Sequence, residues 1–177
     1  MRVVYSEIPN AYALPGGQAY YFSSLLHESD DPDEFAGVLA HELGHVYHRH
    51  GMQTVIATSA TGLLVGFVLG DMSGTSIAGA IGSALIDTRF SRDAEREADL
   101  FAGETAKRLG YRATGLVNLI DRVASDTAFT QTLALLSSHP MNDDRRKLLE
   151  AYDIPPSEAK PAFTEAEWRA IKAMCAP

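Results

Sequence analysis

Apolar and polar positions follow two different periods along this chain. Residues 2–7 and 18–23 are short runs rich in Val, Tyr and Phe, and they read as strands. Pro15-Gly16-Gly17 punctuates the stretch between them as a turn, and Asn10-Ala11-Tyr12-Ala13-Leu14 is itself compatible with an extended segment. From residue 31 the period becomes helical. Asp31 suits an N-cap, Pro32 the first helical position and Glu34 the reciprocal position of a capping box. Phe35, Val38, Leu39, Leu43 and Val46 form an apolar stripe at helical spacing, and Gly51 suits a left-handed stop.

Residues 54–70 and 72–86 carry no charge and are rich in Gly, Ala, Ser and Thr. Small and hydroxyl residues make the first run a poor membrane span, and Asp71 interrupts it, so the region reads as a helical hairpin or flap, with a span as the alternative. Ser91 then caps a long helix that Gly110 ends, and Thr114 opens another through about Ser125. Residues 127–137 read as helical, and a further helix begins near Asp143. After Pro155-Pro156, Thr164-Glu165-Ala166-Glu167 is a second capping box, opening a short helix with Trp168, Ile171 and Met174.

This pattern predicts a mainly helical α+β fold, with a small N-terminal sheet packed on the helix that begins at Pro32. The 177 residues are the length of one domain. Within it, 54–86 is the flap or hairpin and 157–177 a C-terminal helical extension. Hydrophobic residues at 46% and charged residues at 21% belong to a globular chain. The net charge of −8, with the basic residues scattered, argues against a nucleic-acid partner. A single cysteine, Cys175, rules out an internal disulfide and a cysteine-rich metal site. The first residues contain no apolar leader. That fits a cytoplasmic protein, and equally the catalytic part of a longer secreted or membrane-anchored one.

The chemistry gathers around His41-Glu42-Leu43-Gly44-His45. Two histidines four apart on a helix stand on one face, one turn above the other, as two ligands of one metal ion require. Glu42 flanks the metal without ligating it, where it can take a proton from water and later give it to a leaving amine. The plain alternative is two ordinary helix histidines beside a solvated glutamate. A third ligand has a natural source in Ser91–Asp99. Glu95 and Asp99 are four apart, so Glu95 can ligate while Asp99 accepts the remaining N–H of a liganding histidine. Taken alone, that run also reads as a charged, solvated helix face. A His-His-Glu set suits one Zn²⁺ best, with Co²⁺ or Mn²⁺ also open.

Four blocks in order now carry a resemblance: Asn10–Gly17, the HExxH block with Gly44 inside it, Ser91-Arg92 leading into Glu95 and Glu97-Ala98-Asp99, and Ser138-His139-Pro140 followed by Arg145. The chain resembles the zinc peptidases that include the CAAX prenyl proteases, the HtpX heat-shock proteases and the BepA-like periplasmic proteases. The resemblance implies a zincin-like gluzincin fold with His41, His45 and Glu95 on zinc and Glu42 as general base and acid. It implies that Asn10, Ala11, Tyr12, Ala13 and Leu14 form an edge strand beside the cleft, where an extended or unfolded polypeptide can add as a further strand. It places His139 near the cleft, either stabilising the oxyanion or filling the fourth zinc position in a resting state. Arg145 either orients that segment or pairs with a site carboxylate.

The expected function is zinc-dependent endopeptidase activity, with a role in protein quality control resting on the resemblance alone. Unlike the membrane-embedded relatives, this chain has at most one marginal span, which casts doubt on a prenylated substrate. Residues 54–86 are then a flap or a peripheral membrane contact. A periplasmic or membrane-associated location follows from the resemblance, and a cytoplasmic one stays open. The alternatives are a zinc-bound chaperone-like module with little turnover, and a hydrolase of non-peptide amides. His48 and His50 read as helix-end residues favoured by the dipole rather than ligands. Tyr12, Tyr20, Tyr21 and Tyr47 are candidates for transition-state hydrogen bonding that spacing does not rank.

Overall fold

The structure, a computed structural model, describes residues 1–69, 78–81, 89–125 and 138–174. The expected helix over 127–137, and residues 70–77 and 82–86 of the expected 54–86 hairpin, lie outside the described residues.

Three strands form one sheet: β1 (Arg2–Val4), β2 (Ala11–Leu14) and β3 (Gln18–Phe22), in the order β1-β3-β2. β1 runs parallel to β3, and β2 runs antiparallel to it with Ala11 opposite Tyr21 and Ala13 opposite Ala19. Ala11, Ala13, Ala19 and Tyr21 point inward. The small inward residues let the sheet lie close against the helix that follows. Among the described residues β2 is an edge strand, pairing on one side only.

The short helix α1 (Ser23–Glu28) leads into α2 (Pro32–Tyr47). Asp31 caps α2 by accepting from the backbone N–H groups of Asp33 and Glu34, with Pro32 in the first turn. Glu34 does not close a reciprocal box. Its carboxylate instead accepts from the Asp30 N–H and from Arg122, because buried Glu34 can reach a cation there. α2 is also not one-sided. Phe35 and Val38 are in the core, yet Leu43 is 39% exposed while His41, Glu42, Gly44 and His45 are buried. The helix lies between the sheet and two other helices, and its charged motif face is covered by one of them.

That cover is α4 (Arg92–Leu109). Ser91 caps it by accepting from Ala94 N–H, and Gly110 ends it at φ 83. A Cβ on Gly44 would meet Ala98 Cα at 2.8 Å and Ala98 O at 3.0 Å. Backbone thus meets backbone where the two helices cross, at the turn that carries the motif histidines. The absence of a side chain at Gly44 is what brings Glu95 and Asp99 within reach of them.

α2 does not stop at Gly51. His48 is its C-cap and Arg49 takes the left-handed conformation at φ 59, so the chain turns two residues earlier. Gly51 lies inside the next helix, α3 (His50–Leu69), where Pro15 packs against it. Residues 54–69 are thus one helix continuous with His50. Ile56, Leu63, Leu64, Val65, Phe67 and Val68 on α3 are exposed, and its length and composition are those of a membrane-crossing segment.

Helices α5 (Gly115–Ser125) and α6 (Asp143–Tyr152) complete the main core, where Leu25, Leu26, Phe35, Leu116, Leu119, Ile120 and Leu149 meet. Asn142 caps α6 by accepting from Arg145 N–H. The Thr114 hydroxyl bonds Asp153 and Arg112 rather than serving as a helix cap. α7 (Glu165–Ala173) opens on the expected Thr164–Glu167 capping box. Phe163, Trp168 and Ile171 pack on the main core, and Met174 stays exposed. Asp33 holds this C-terminal segment by accepting from Ala162 N–H at 2.7 Å.

Candidate metal centre and active site

His41 and His45 rise one turn apart on α2, with their Nε2 atoms 3.1 Å from each other. Glu95, from the first turn of α4, approaches both: Oε2 is 3.5 Å from His41 Nε2 and Oε1 is 3.4 Å from His45 Nε2. His139, between α5 and α6, brings Nδ1 to 3.0 Å from Glu95 Oε1 and 3.2 Å from His41 Nε2. One donor atom from each of His41, His45, Glu95 and His139 lies within 4.8 Å of all the others, and all four residues are buried. Imidazole nitrogens facing each other at such distances direct lone pairs to a common point. A cation at that point satisfies all of them, so the donor set fits a metal ion.

Glu42 stands beside this cluster and outside it. Its carboxylate is buried and makes no well-formed hydrogen bond, and His139 Nε2 lies 3.3 Å from Oε1. A buried carboxylate with free lone pairs next to a metal position is suited to accept a proton.

The far side of the cluster is tied down by charge. Asp99 Oδ1 lies 2.9 Å from His41 Nδ1, in a contact bent away from ideal hydrogen-bond alignment. Arg145 spans the carboxylates. Its Nε donates to Asp99 Oδ2 at 2.6 Å and Nη2 to Asp99 Oδ1 at 2.8 Å, while Nη1 lies 2.8 Å from Glu95 Oε2 and donates to Pro140 O at 2.9 Å. Arg145 thus reaches both carboxylates and the Pro140 carbonyl, contacts compatible with either role open to it.

These neighbours set the proton affinities. Burial disfavours a charged His41, but hydrogen bonding and charge from Asp99 and Glu95 outweigh it and raise His41 to about 9. Burial, only partly opposed by the hydrogen bond with Glu95 and reinforced by the positive fields of His41 and His139, lowers His45 to about 3. Burial pushes the Glu95 carboxyl up, and the hydrogen bonds from His139, His41 and His45 more than reverse this, holding it below the usual carboxylate range. Asp99 is likewise lowered, burial being outweighed by Arg145 and then His41.

The other candidates fall as follows. Ala11–Leu14 form edge strand β2, whose end shares a pocket of about 330 Å³ with His45, while Asn10 precedes the strand and accepts from Ala11 N–H. Tyr21 is buried with its hydroxyl 3.3 Å from Ser29, and Tyr20 donates to Gln18. Tyr12 stacks on Tyr20, and Tyr47 packs against Phe101. Two residues near the centre escaped the sequence reading. Phe90 stacks on His45 with centroids 4.0 Å apart, and no pattern singles it out. His50, read from the sequence as a residue of the last turn of the motif helix, stands at the start of the next one. It is buried and touches His45.

The chain is similar to known metalloproteases. The chain is 34% identical over 152 residues to metalloprotease YcaL of Escherichia coli, covering 81% of this chain and 58% of that protein. It is 28% identical over 163 residues to the mitochondrial metalloendopeptidase OMA1 of Schizosaccharomyces pombe, covering 90% of this chain and 48% of the other. It is 26% identical over 148 residues to the beta-barrel assembly-enhancing protease of Escherichia coli, covering 77% of this chain and 30% of the other. The chain thus spans about half or less of the length of two of these relatives and somewhat more of the first. Residues 1–153 match peptidase family M48, and the donor cluster lies wholly inside that span, so the chain belongs to this family.

Proposed function

We propose that this chain is the catalytic domain of a zinc endopeptidase that cleaves internal peptide bonds of extended or unfolded polypeptides. The observation that carries it is the convergence of His41, His45 and Glu95 beside the buried carboxylate of Glu42, which makes no well-formed hydrogen bond among the described residues. His41, His45 and Glu95 would hold one Zn²⁺, which a His-His-carboxylate set suits. Bound there, zinc supplies the Lewis acid that polarises the scissile carbonyl and acidifies water. Glu42 takes the proton from the attacking water and returns it to the leaving amine. Edge strand β2 offers its free backbone groups to the substrate, and the pocket lined by Ala13, Val46 and Met52 receives a side chain. His139 Nδ1, among the donors, supports a resting role in the fourth metal position, which a substrate would displace. The name of one relative, a beta-barrel assembly-enhancing protease, supports protein quality control during assembly as the setting.

The test is cleavage of casein by the zinc-loaded chain. Activity should disappear with a chelator and return with about one equivalent of Zn²⁺. Full activity after exhaustive chelation would reject the reading. If one equivalent of zinc binds but no turnover occurs, the chaperone-like alternative gains.

The same reading includes peripheral contact with a lipid surface through α3, supported by its exposed, uncharged apolar residues. Co-sedimentation with phospholipid vesicles should fall several-fold on Phe67→Ser with Val68→Ser. Equal sedimentation of parent and variant would remove the membrane from the proposal.

A further inference from the structure

The nitrogen of His45 that faces away from the donor cluster has its own partner. His50 Nδ1 lies 2.9 Å from His45 Nδ1, and His50 Nε2 lies 2.9 Å from Glu97 Oε2. His50 is 2% exposed, whereas Glu97, on the outer side, is 51% exposed. The turn that inserts His50 requires Arg49 at φ 59, the one non-glycine residue in the left-handed region among the described residues. Such a conformation costs about 1 kcal/mol and persists where surrounding structure enforces it.

Only one proton arrangement fits a ligand at His45. A neutral imidazole has one N–H and one lone pair. With the lone pair of Nε2 in the donor cluster, the proton of His45 sits on Nδ1. It then donates to a bare Nδ1 of His50, whose own proton is on Nε2 and donates to Glu97. α4 therefore orients both α2 histidines: Asp99 meets His41 directly, and Glu97 reaches His45 through His50.

We propose that His50, anchored by Glu97, is a positioning residue that locks His45 in its Nδ1–H tautomer and thereby sets the affinity of the metal centre. This rests on the reading of His45 as a ligand. His48, His50 and Glu97 also have donor atoms within 4.8 Å of one another. A cation on His50 Nε2, however, would displace the proton that donates to Glu97. It would force a proton onto His50 Nδ1, against the N–H of His45. The tautomer chain and a second metal site there are thus mutually opposed.

The test is chelator competition for zinc on the full chain, with apo-protein melting as a check on folding. His50→Phe should bind one equivalent 10–100-fold more weakly, the range typical when an outer partner of a metal ligand is lost. His50→Asn, whose amide oxygen can accept the same N–H, should stay within about 3-fold of the parent. Glu97→Ala, at an exposed position, should lose about 10-fold, and the visible spectrum of the Co²⁺ form should shift in His50→Phe but not in His50→Asn. Unchanged affinity in both His50→Phe and Glu97→Ala would overturn the proposal. So would a parent that binds two equivalents and loses one on His50→Phe, since that result assigns a second metal site. His45→Ala separates the underlying reading: parental affinity there would reject His45 as a ligand, whatever the His50 variants show.

Discussion

Glu42→Gln is expected to lower casein cleavage by at least about 100-fold, and up to about 10⁴-fold, with zinc stoichiometry unchanged. Glutamine keeps the shape and one acceptor oxygen but has no proton affinity in the working range. Glu42 is buried, flanks the donor cluster and has no hydrogen bond holding either oxygen. Its substitution therefore removes a proton acceptor without removing one of the four clustered donors, and changes only the 3.3 Å approach of His139 Nε2. Melting of the variant should match the parent or rise slightly, because a buried carboxylate is replaced by a neutral group. A variant that still cleaves at more than a tenth of the parental rate would remove Glu42 from the chemistry. A variant that loses zinc would instead make it part of the binding site.

Arg145→Ala should give the largest loss of stability. Arg145 is almost fully buried and divides its donors between Asp99, itself 0% exposed, and Glu95. Truncating it leaves two buried carboxylates without their guanidinium partner, with His41 as the cation that stays within reach of both. Breaking a buried pair in this way costs about 3–5 kcal/mol, which for a chain of this size lowers the melting temperature by on the order of 10 °C. The acid side of the stability profile should move as well. Burial alone would raise the Asp99 carboxyl, yet Arg145 and His41 hold it below its ordinary value. A lowered folded-state value contributes stability that is complete above the usual carboxylate range and fades as pH falls through that lowered value. Without Arg145 the Asp99 value rises, so the loss should begin nearer neutral pH. Apo-protein melting from about pH 4 to 8 checks both effects. Equal melting curves would show that Arg145 is dispensable to the centre. Zinc should partly rescue the variant, since a cation beside Glu95 offsets the missing charge.

Much of this arrangement can be read without coordinates, because helices impose local geometry. His41 with His45, and Glu95 with Asp99, need only the helical repeat to share a face, and the caps at Asp31, Ser91 and Thr164 follow from residue chemistry a few positions apart. What escaped depends on contacts between elements. The turn at Arg49 exists because His50 is drawn toward His45 and Gly51 toward Pro15, so a glycine that reads as a helix stop became a packing site. Leu43 fits an apolar stripe but faces outward, because α4 covers the charged side of α2 instead. Glu34 has the position of a capping-box residue, but Arg122, far along the chain, takes its carboxylate.

The donors come from places far apart in the chain. His41 and His45 precede Glu95 by about fifty residues, and Glu95 precedes His139 by about forty. An ion shared among them closes two long loops at once, as a reversible cross-link would. Because the separated segments of an unfolded chain cannot present such a cluster, occupancy and folding are linked. Each tenfold rise in free ion above the dissociation constant adds about 1.4 kcal/mol to the folded state. If the proposed centre holds its ion, the stability of this domain would follow the free metal in its compartment, and withdrawing the ion would weaken the domain along with its chemistry.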